Sequence, residues 1–185
     1  MHINLLWTGR EYYSLENCHV EIQPQGVEIE STIVGKYGDV IYKVSYNIRT
    51  NPQWETQMLK IHARHNDIVQ DILLESDGNG SWIFNGKKTD AFKGCMHVDI
   101  PLTPFTNTLP IRRLKLNQNE SKQIQVIYCD LLSQQIIPVT QQYHCLSKNR
   151  YHYENVPNNF EADIEVDDDG LVIDYPSLFI RTARR

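Results

Sequence analysis

The sequence of 185 residues lacks a long apolar run, a basic segment and closely spaced cysteines, and each absence excludes a class of protein. No stretch approaches the ~20 apolar residues of a transmembrane helix, and the first residues lack the basic and apolar regions of a signal peptide. Lys and Arg total 18 against 23 Asp and Glu, so no nucleic-acid partner is expected. These features predict a cytoplasmic protein without a transmembrane segment.

Motifs for cofactors, metals and nucleophiles are also missing. The chain contains no C-x-x-C pair, no glycine-rich phosphate loop and no G-x-S-x-G elbow. Cys95 and His97 are the best-spaced pair, because residues i and i+2 of a strand share a face. One pair falls short of the four ligands of a structural metal site. We therefore expect no cofactor, no metal and four reduced, buried cysteines.

What the sequence does contain is an apolar period of two. Residues 40–48 alternate apolar and mixed positions, and the same period recurs in segments 27–33, 59–63, 68–74, 124–128 and 160–166. Turn sequences separate these segments, and Gly80 and Gly170 are predicted to close hairpins at positive φ. About a dozen strands at this spacing predict an all-β sandwich, barrel or roll.

Two turns share the pattern Glu-x-Asp-x-x-Gly before an apolar strand. Glu75, Asp77 and Gly80 recur as Glu165, Asp167 and Gly170. Either the domain contains two similar β halves, or acidic hairpin turns simply look alike.

One or two short helical turns are predicted near residues 103–109, where Thr103 can cap a helix and Pro104 can begin it. Pro110 is expected to end this segment, because a residue before proline avoids the helical region. Residues 111–116 are predicted to form a strand with Arg112 on its more apolar face.

Arg112 has two interpretations, because a desolvated guanidinium needs a partner. In the structural one it pairs with Asp99 and fastens the intervening loop to the sheet. In the functional one it donates to the polar head of a ligand, with Thr106 and Asn107 supplying neutral hydrogen bonds. We favour the clamp for Asp99, and Arg113 as the more exposed arginine for touching a ligand.

Aromatic residues make up 10% of the chain, enough to line a ligand cavity and equally usual in a β core. A curved sheet with an apolar face and a few polar groups at its mouth can hold a lipid or glycolipid. The candidates for such a lining are Tyr143, Tyr151, Tyr153, Tyr175, Phe179 and Trp82.

Several motifs are distributed from residue 7 to residue 179. They are Trp7-Thr8-Gly9, Leu15-Glu16-Asn17-Cys18, Asp77-Gly78-x-Gly80-x-Trp82, Gly94-Cys95-x-x-Val98-Asp99, the run PFTNTLPIRRL at 104–114, Gln142-Tyr143, Tyr151-x-Tyr153 and Asp167-x-x-Gly170-Leu171-Val172-x-x-Tyr175-Pro176-x-Leu178-Phe179. In these motifs the chain resembles the putative glycolipid-binding proteins of bacteria, formerly a domain of unknown function. The run at 104–114 is the most specific of them.

The resemblance implies a single domain over residues 1–185, whose long, curved antiparallel sheet forms a spiral roll or an incomplete barrel. It also implies shielding of lipid chains and no demonstrated reaction. Gln142 stands where the family motif has a basic residue, so a cationic contact at that position would be lost.

Three hypotheses for function follow. The leading one is a non-catalytic binding protein for an amphipathic ligand, a glycolipid or a lipid-like molecule. The alternative is an interaction or scaffold module whose sheet edge or aromatic patch recruits a protein of unknown identity. An enzyme of unrecognised mechanism comes third, with Asp99 or Glu16 as its acid or base.

Overall fold

The computed structural model describes residues 1–185 and contains fifteen β-strands in one sheet. The first eight strands are β1 His2–Gly9, β2 Ser14–Gln23, β3 Gly26–Tyr37, β4 Val40–Thr50, β5 Thr56–His65, β6 Ile68–Ser76, β7 Trp82–Phe84 and β8 Lys87–Thr89. The other seven are β9 His97–Asp99, β10 Ser121–Asp130, β11 Gln135–Ser147, β12 Arg150–Val156, β13 Glu161–Val166, β14 Val172–Tyr175 and β15 Phe179–Arg184. The all-β prediction is confirmed.

The order of strands explains how one sheet can enclose a core. From the edge strand β8 the sheet runs back to β1, which pairs with β15, and continues from β15 down to the edge strand β9. All neighbours are antiparallel except β9 and β10. The open sheet curves back on itself, so that the Thr56 N–H at the start of β5 reaches and donates to the Met96 carbonyl beside β9 (3.2 Å).

The predicted period of two is confirmed as alternate burial along the strands. In β4 Tyr42, Val44, Tyr46 and Ile48 are buried, whereas Ile41 and the other intervening residues face outward or are half-buried. Strands occupy the other predicted segments too, although β13 begins one residue later than expected. The count exceeds a dozen because β7, β8, β9 and β14 are only three or four residues long.

Two groups of buried side chains fill the interior. The larger core cluster has 30 residues, mostly from β1–β7, β9 and β10, and includes Trp7, Trp54 and Trp82. The smaller core cluster has 10 residues from the C-terminal strands and one helix: Ile111, Tyr143, Cys145, Tyr151, Tyr153, Ile164, Val166, Val172, Tyr175 and Phe179.

The helical segment differs from the prediction. A 3₁₀ turn spans Phe105–Asn107, and an α-helix, α1, follows at Thr108–Leu114. Pro110 does not end the helix, because it lies in the first turn, where a backbone N–H has no intrahelical acceptor to lose. The predicted strand over 111–116 is therefore wrong, and Lys115, with φ +47°, is the C-cap residue that follows α1. Neither helical segment is long or apolar enough to cross a membrane.

The turn prediction is confirmed for both glycines. Gly80 has φ +82° and Gly170 has φ +72°, a region that glycine adopts without steric cost. In each turn the aspartate three residues earlier accepts hydrogen bonds from two backbone N–H groups: Asp77 from Asn79 and Ser81, and Asp167 from Asp169 and Leu171.

Candidate functional site

A cavity of about 260 Å³ opens beside the smaller core cluster and is called the tyrosine cavity here. Its apolar walls are Tyr12, Pro101, Tyr128, Tyr153, Phe160, Tyr175, Leu178 and Phe179. Its polar lining consists of Glu11, Asp99, Thr103, Asn107, Asn155 and Asn159. The cavity thus combines aromatic rings with carboxyl, amide and hydroxyl groups, and no Lys or Arg lines it.

The aromatic wall follows from strand pairing. Tyr153 on β12 lies opposite Tyr143 on β11, and their ring centroids are 5.3 Å apart in an edge-on arrangement. The Tyr153 ring is 6.2 Å from both Phe160 and Tyr175, and Tyr175 is 6.3 Å from Phe179. Inward positions of neighbouring strands therefore build one continuous aromatic surface.

Asp99 supplies a carboxyl group to the cavity without a cationic partner. Thr106 Oγ1 donates to its Oδ1 (2.8 Å), and Gln141 Nε2 donates to its Oδ2 (2.7 Å). Burial raises the pKa of Asp99 above its usual range, and the two donors act in the opposite direction.

Asn107 is held in place by a tyrosine. The Tyr143 hydroxyl donates to Asn107 Oδ1 (2.9 Å), and Asn107 Nδ2 donates to the Pro104 carbonyl (3.4 Å). Burial raises the pKa of Tyr143 well above its usual value, so its hydroxyl stays a donor. The orientation of the amide is therefore defined before any ligand arrives.

Glu16 is a buried carboxyl behind the cavity wall. Its Oε1 accepts hydrogen bonds from Ser31 (2.7 Å), Tyr46 (2.7 Å) and Thr103 (2.9 Å), while Oε2 has no partner. Burial raises the pKa of Glu16 to about 7. Thr103 lines the cavity and separates it from Glu16, so Glu16 positions Thr103 without reaching the cavity itself.

A family model described as putative glycolipid-binding matches residues 4–181 of the chain. The chain belongs to this family. A crystal structure of a DUF1089 family protein from Pseudomonas aeruginosa, at 1.80 Å resolution, is similar to it with a TM-score of 0.81 and 32% sequence identity. The match covers 90% of this chain and 91% of that one. No curated protein matches the chain.

Membership of the putative glycolipid-binding family confirms the resemblance of the sequence motifs and supports a binding role. Of the residues predicted to touch or line a ligand site, the structure brings Asn107, Tyr153, Tyr175 and Phe179 to the tyrosine cavity. Tyr143 and Thr106 do not line the cavity, but each donates a hydrogen bond to a residue that does, Tyr143 to Asn107 and Thr106 to Asp99. Asp99, which was assigned a structural role, lines the cavity as well.

The structure does not bring the two arginines to this site. Arg112 lies with its Cζ 5.1 Å from the centroid of the Trp54 ring, and Arg113 pairs with Glu55 at 3.2 Å. The predicted clamp between Arg112 and Asp99 is wrong, because Thr106 and Gln141 hold both carboxylate oxygens. The physical reason is that residues 108–114 form a helix, which carries Arg112 onto Trp54 instead of onto a sheet face.

Trp82 is also outside the cavity. It is buried in the larger core cluster, where its indole N–H donates to the Cys95 carbonyl (2.9 Å). Gln142, the departure from the family motif, donates to Glu154 (2.6 Å) and does not line the cavity.

Two groups have side chains that metals bind. His97 is buried with neither ring nitrogen partnered, and burial lowers its pKa to about 3, so the ring is neutral. His152, Glu154 and Glu161 have ligand atoms within 4.8 Å of one another on the exposed side of β12 and β13. Asn158 donates to both glutamates, which gives these carboxylates a partner within the chain. The absence of a metal and of a cofactor stays a prediction, as does the cytoplasmic location.

Three aromatic residues that line the cavity were not predicted from the sequence: Tyr12, Tyr128 and Phe160. Tyr12 lies in the turn between β1 and β2, where no periodicity marks an inward side chain. The burial of Glu16 could have been predicted from the sequence, because Glu16 occupies an inward position between Ser14 and Cys18 in the alternation of β2.

Proposed function

We propose that residues 1–185 act as one non-catalytic binding domain that holds the head group of a glycolipid in the tyrosine cavity. The observation that carries this proposal is the mixture of an aromatic wall with side-chain amides and a carboxyl group in one cavity. Sugar rings present apolar C–H faces and hydroxyl groups, and this lining offers a surface for the first and hydrogen-bond partners for the second.

Charge supports a neutral head group. Glu11 and Asp99 line the cavity, and the nearby arginines are engaged with Trp54 and Glu55. A phosphate or sulfate would meet two carboxyl groups and no cation, whereas a sugar hydroxyl can donate to Asp99.

Size supports a head group rather than a whole lipid. Since a water molecule occupies roughly 30 Å³ of liquid, the cavity of about 260 Å³ holds one or two ring-sized groups and not a head group with its acyl chains. The acyl part of the ligand therefore stays outside the tyrosine cavity.

Calorimetric titration with octyl glucoside, octyl galactoside and octyl maltoside below their micelle concentrations tests this proposal, with octylphosphocholine as the matched lipid without a sugar. We expect at least one glycoside to bind and the phosphocholine not to bind. Tyr175→Leu should weaken glycoside binding roughly tenfold, because it removes a ring from the wall.

Tyr151→Leu is the matched control, since Tyr151 is a buried tyrosine of the same cluster that does not line the cavity. Asp99→Asn is a second test that changes one hydrogen-bonding group and little volume. Equal loss of binding in the Tyr175 and Tyr151 variants, or no binding of any glycoside, would overturn the proposal.

One observation favours the enzyme hypothesis and another speaks against it. A pKa of about 7 suits Glu16 to acid or base chemistry, but the residue does not line the cavity. The interaction-module hypothesis stays a prediction.

A further inference from the structure

A second, wider groove opens on the outer face of β2–β5, at the end of the sheet that carries the turns before β2 and β4. Its volume is about 910 Å³. Four large apolar or aromatic residues that line the groove are exposed to solvent: Tyr13 (77% exposed), Ile41 (71%), Val34 (48%) and Leu15 (46%). We call these four residues, together with Lys36, Lys43 and Arg64, the basic apolar patch.

Strand register places the patch on one face. Leu15 on β2 lies opposite Val34 on β3, Val34 opposite Lys43 on β4, and Lys43 opposite Arg64 on β5. These residues alternate with buried ones such as Ile33 and Val44, so the row faces away from the core. Apolar and cationic side chains therefore form one surface.

The charge of the patch is opposite to that of the protein. The chain has a net charge of −5, yet Lys36, Lys43 and Arg64 line the groove and no Asp or Glu does. None of the three cations forms an ion pair with an acidic side chain. Asp39 and Asp67 lie in the adjacent hairpin turns and do not line the groove.

The patch adjoins the tyrosine cavity through one turn. Glu11 and Tyr12 line the cavity, and Tyr13, the next residue, lines the patch. A surface that covers the patch therefore also lies beside the cavity.

We propose that the basic apolar patch docks the protein on the surface of an anionic lipid bilayer. Cationic side chains are attracted to anionic lipid head groups, and exposed aromatic and aliphatic side chains enter the interfacial layer. Lys and Arg can keep their charged ends at the head groups while their stems lie along apolar surface. The docking goes beyond sugar binding and does not depend on it, although a bilayer here would accommodate the acyl part of the proposed ligand.

Co-sedimentation with vesicles tests the proposal. We expect the protein to sediment with vesicles of phosphatidylcholine mixed with phosphatidylglycerol, and not with phosphatidylcholine alone. Binding should fall as salt rises past physiological ionic strength, because the attraction is screened within roughly 8 Å there. The triple variant Lys36→Glu, Lys43→Glu, Arg64→Glu should lose binding at least tenfold.

The triple variant Lys87→Glu, Lys88→Glu, Lys93→Glu is the matched control. It changes the net charge equally, and these exposed lysines lie on and after the edge strand β8, where no large apolar side chain is exposed. It should keep most of the binding. Ile41→Ser should weaken binding several-fold without any change in charge, because Ile41 is the most exposed aliphatic residue of the patch.

Equal loss of vesicle binding in the two triple variants would overturn the proposal. Sedimentation only with the neutral phosphatidylcholine vesicles, and not with those that contain phosphatidylglycerol, would overturn it as well. A concentration-dependent dimer that Ile41→Ser dissolves, without vesicle binding, would assign the patch to a second copy of the chain and also overturn it. Octyl glycoside titration of the patch variant keeps the two proposals apart, since that variant should bind the sugar probe like the unmodified protein.

Discussion

The two core clusters differ in the chemistry of their side chains. The larger cluster is filled mainly by aliphatic residues and three tryptophans, whereas four of the ten residues of the smaller cluster are tyrosines. Aliphatic side chains need no hydrogen-bond partner, but a buried tyrosine hydroxyl does. The smaller cluster therefore has to bring polar groups with it, and the tyrosine cavity lies where it does so.

Two of the four tyrosines show this requirement directly. Tyr143 donates to Asn107, and Tyr153 donates to Asn155 at 2.6 Å. Both asparagines line the cavity. The hydrogen bonds that the buried tyrosine hydroxyls require thus orient two side-chain amides at the cavity surface. They link the packing of this cluster to its proposed binding role.

The largest expected effect separates the clusters by stability. Leu59→Ala, at a fully buried position of the larger cluster, should lower the free energy of unfolding by about 2–5 kcal/mol. Tyr143→Phe should cost only about 1 kcal/mol, because it deletes one hydrogen bond to an amide at the cavity. Urea denaturation of both variants at one pH measures the difference.

Ile164→Ala is the control within the smaller cluster, where Ile164 is fully buried. It should resemble Leu59→Ala, because both leave a cavity among packed side chains. If Tyr143→Phe cost as much as either truncation, the hydroxyl would be a structural necessity rather than an oriented surface group.

The second-largest expected effect concerns how stability depends on pH through two buried carboxyl groups, Glu16 beside the larger cluster and Asp99 at the cavity. Burial raises the pKa of Glu16 from 4.5 to about 7. Between these two pH values the folded protein therefore keeps a proton on Glu16 that the unfolded chain has released. Stability should therefore be greatest below pH 4.5, as far as Glu16 is concerned, and fall by about 3 kcal/mol as pH rises through 7.

Glu16→Gln should remove this slope, measured as the difference between the urea denaturation free energies at pH 5 and pH 8. Asp99→Asn should change the pH dependence of stability in the same direction, because burial also raises the pKa of Asp99. A free energy of unfolding for Glu16→Gln that falls between pH 5 and pH 8 as steeply as that of the unmodified protein would contradict the assignment.

Most of the fold could be predicted because alternate burial is a local property of strands. The inward series in β4 and the glycines of the hairpin turns are readable without knowing what they face. The short helical turns near residues 103–109 were predicted, but the continuation of α1 to Leu114 was not, because Pro110 was interpreted as a stop although a proline in the first turn of a helix removes no hydrogen bond.

The site was predicted only in part, because its contacts join distant parts of the chain. Asn107, Tyr153 and Tyr175 were identified from residue type, and all three line the cavity. The partner of Arg112 could not be identified in this way, since Trp54 becomes its neighbour only after the sheet curves and the helix forms.

The smallest effect concerns the two glycine turns, which match in local structure and differ in surroundings. A Cβ at Gly80 would lie 3.1 Å from the Gly94 Cα, whereas a Cβ at Gly170 would lie 2.8 Å from Cδ of Arg112. Each Gly→Ala variant should lower the free energy of unfolding by about 1–3 kcal/mol, because both positions have positive φ.

A double-mutant cycle then separates the backbone strain, which the two turns share, from the side-chain contact. Combining Gly170→Ala with Arg112→Ala should recover part of the loss, with a coupling energy of about 1 kcal/mol, while Gly80→Ala should show none with Arg112→Ala. Thermal and urea denaturation of the six proteins provide the measurement, and equal coupling at both glycines would mean that Arg112 does not define the environment of the second turn.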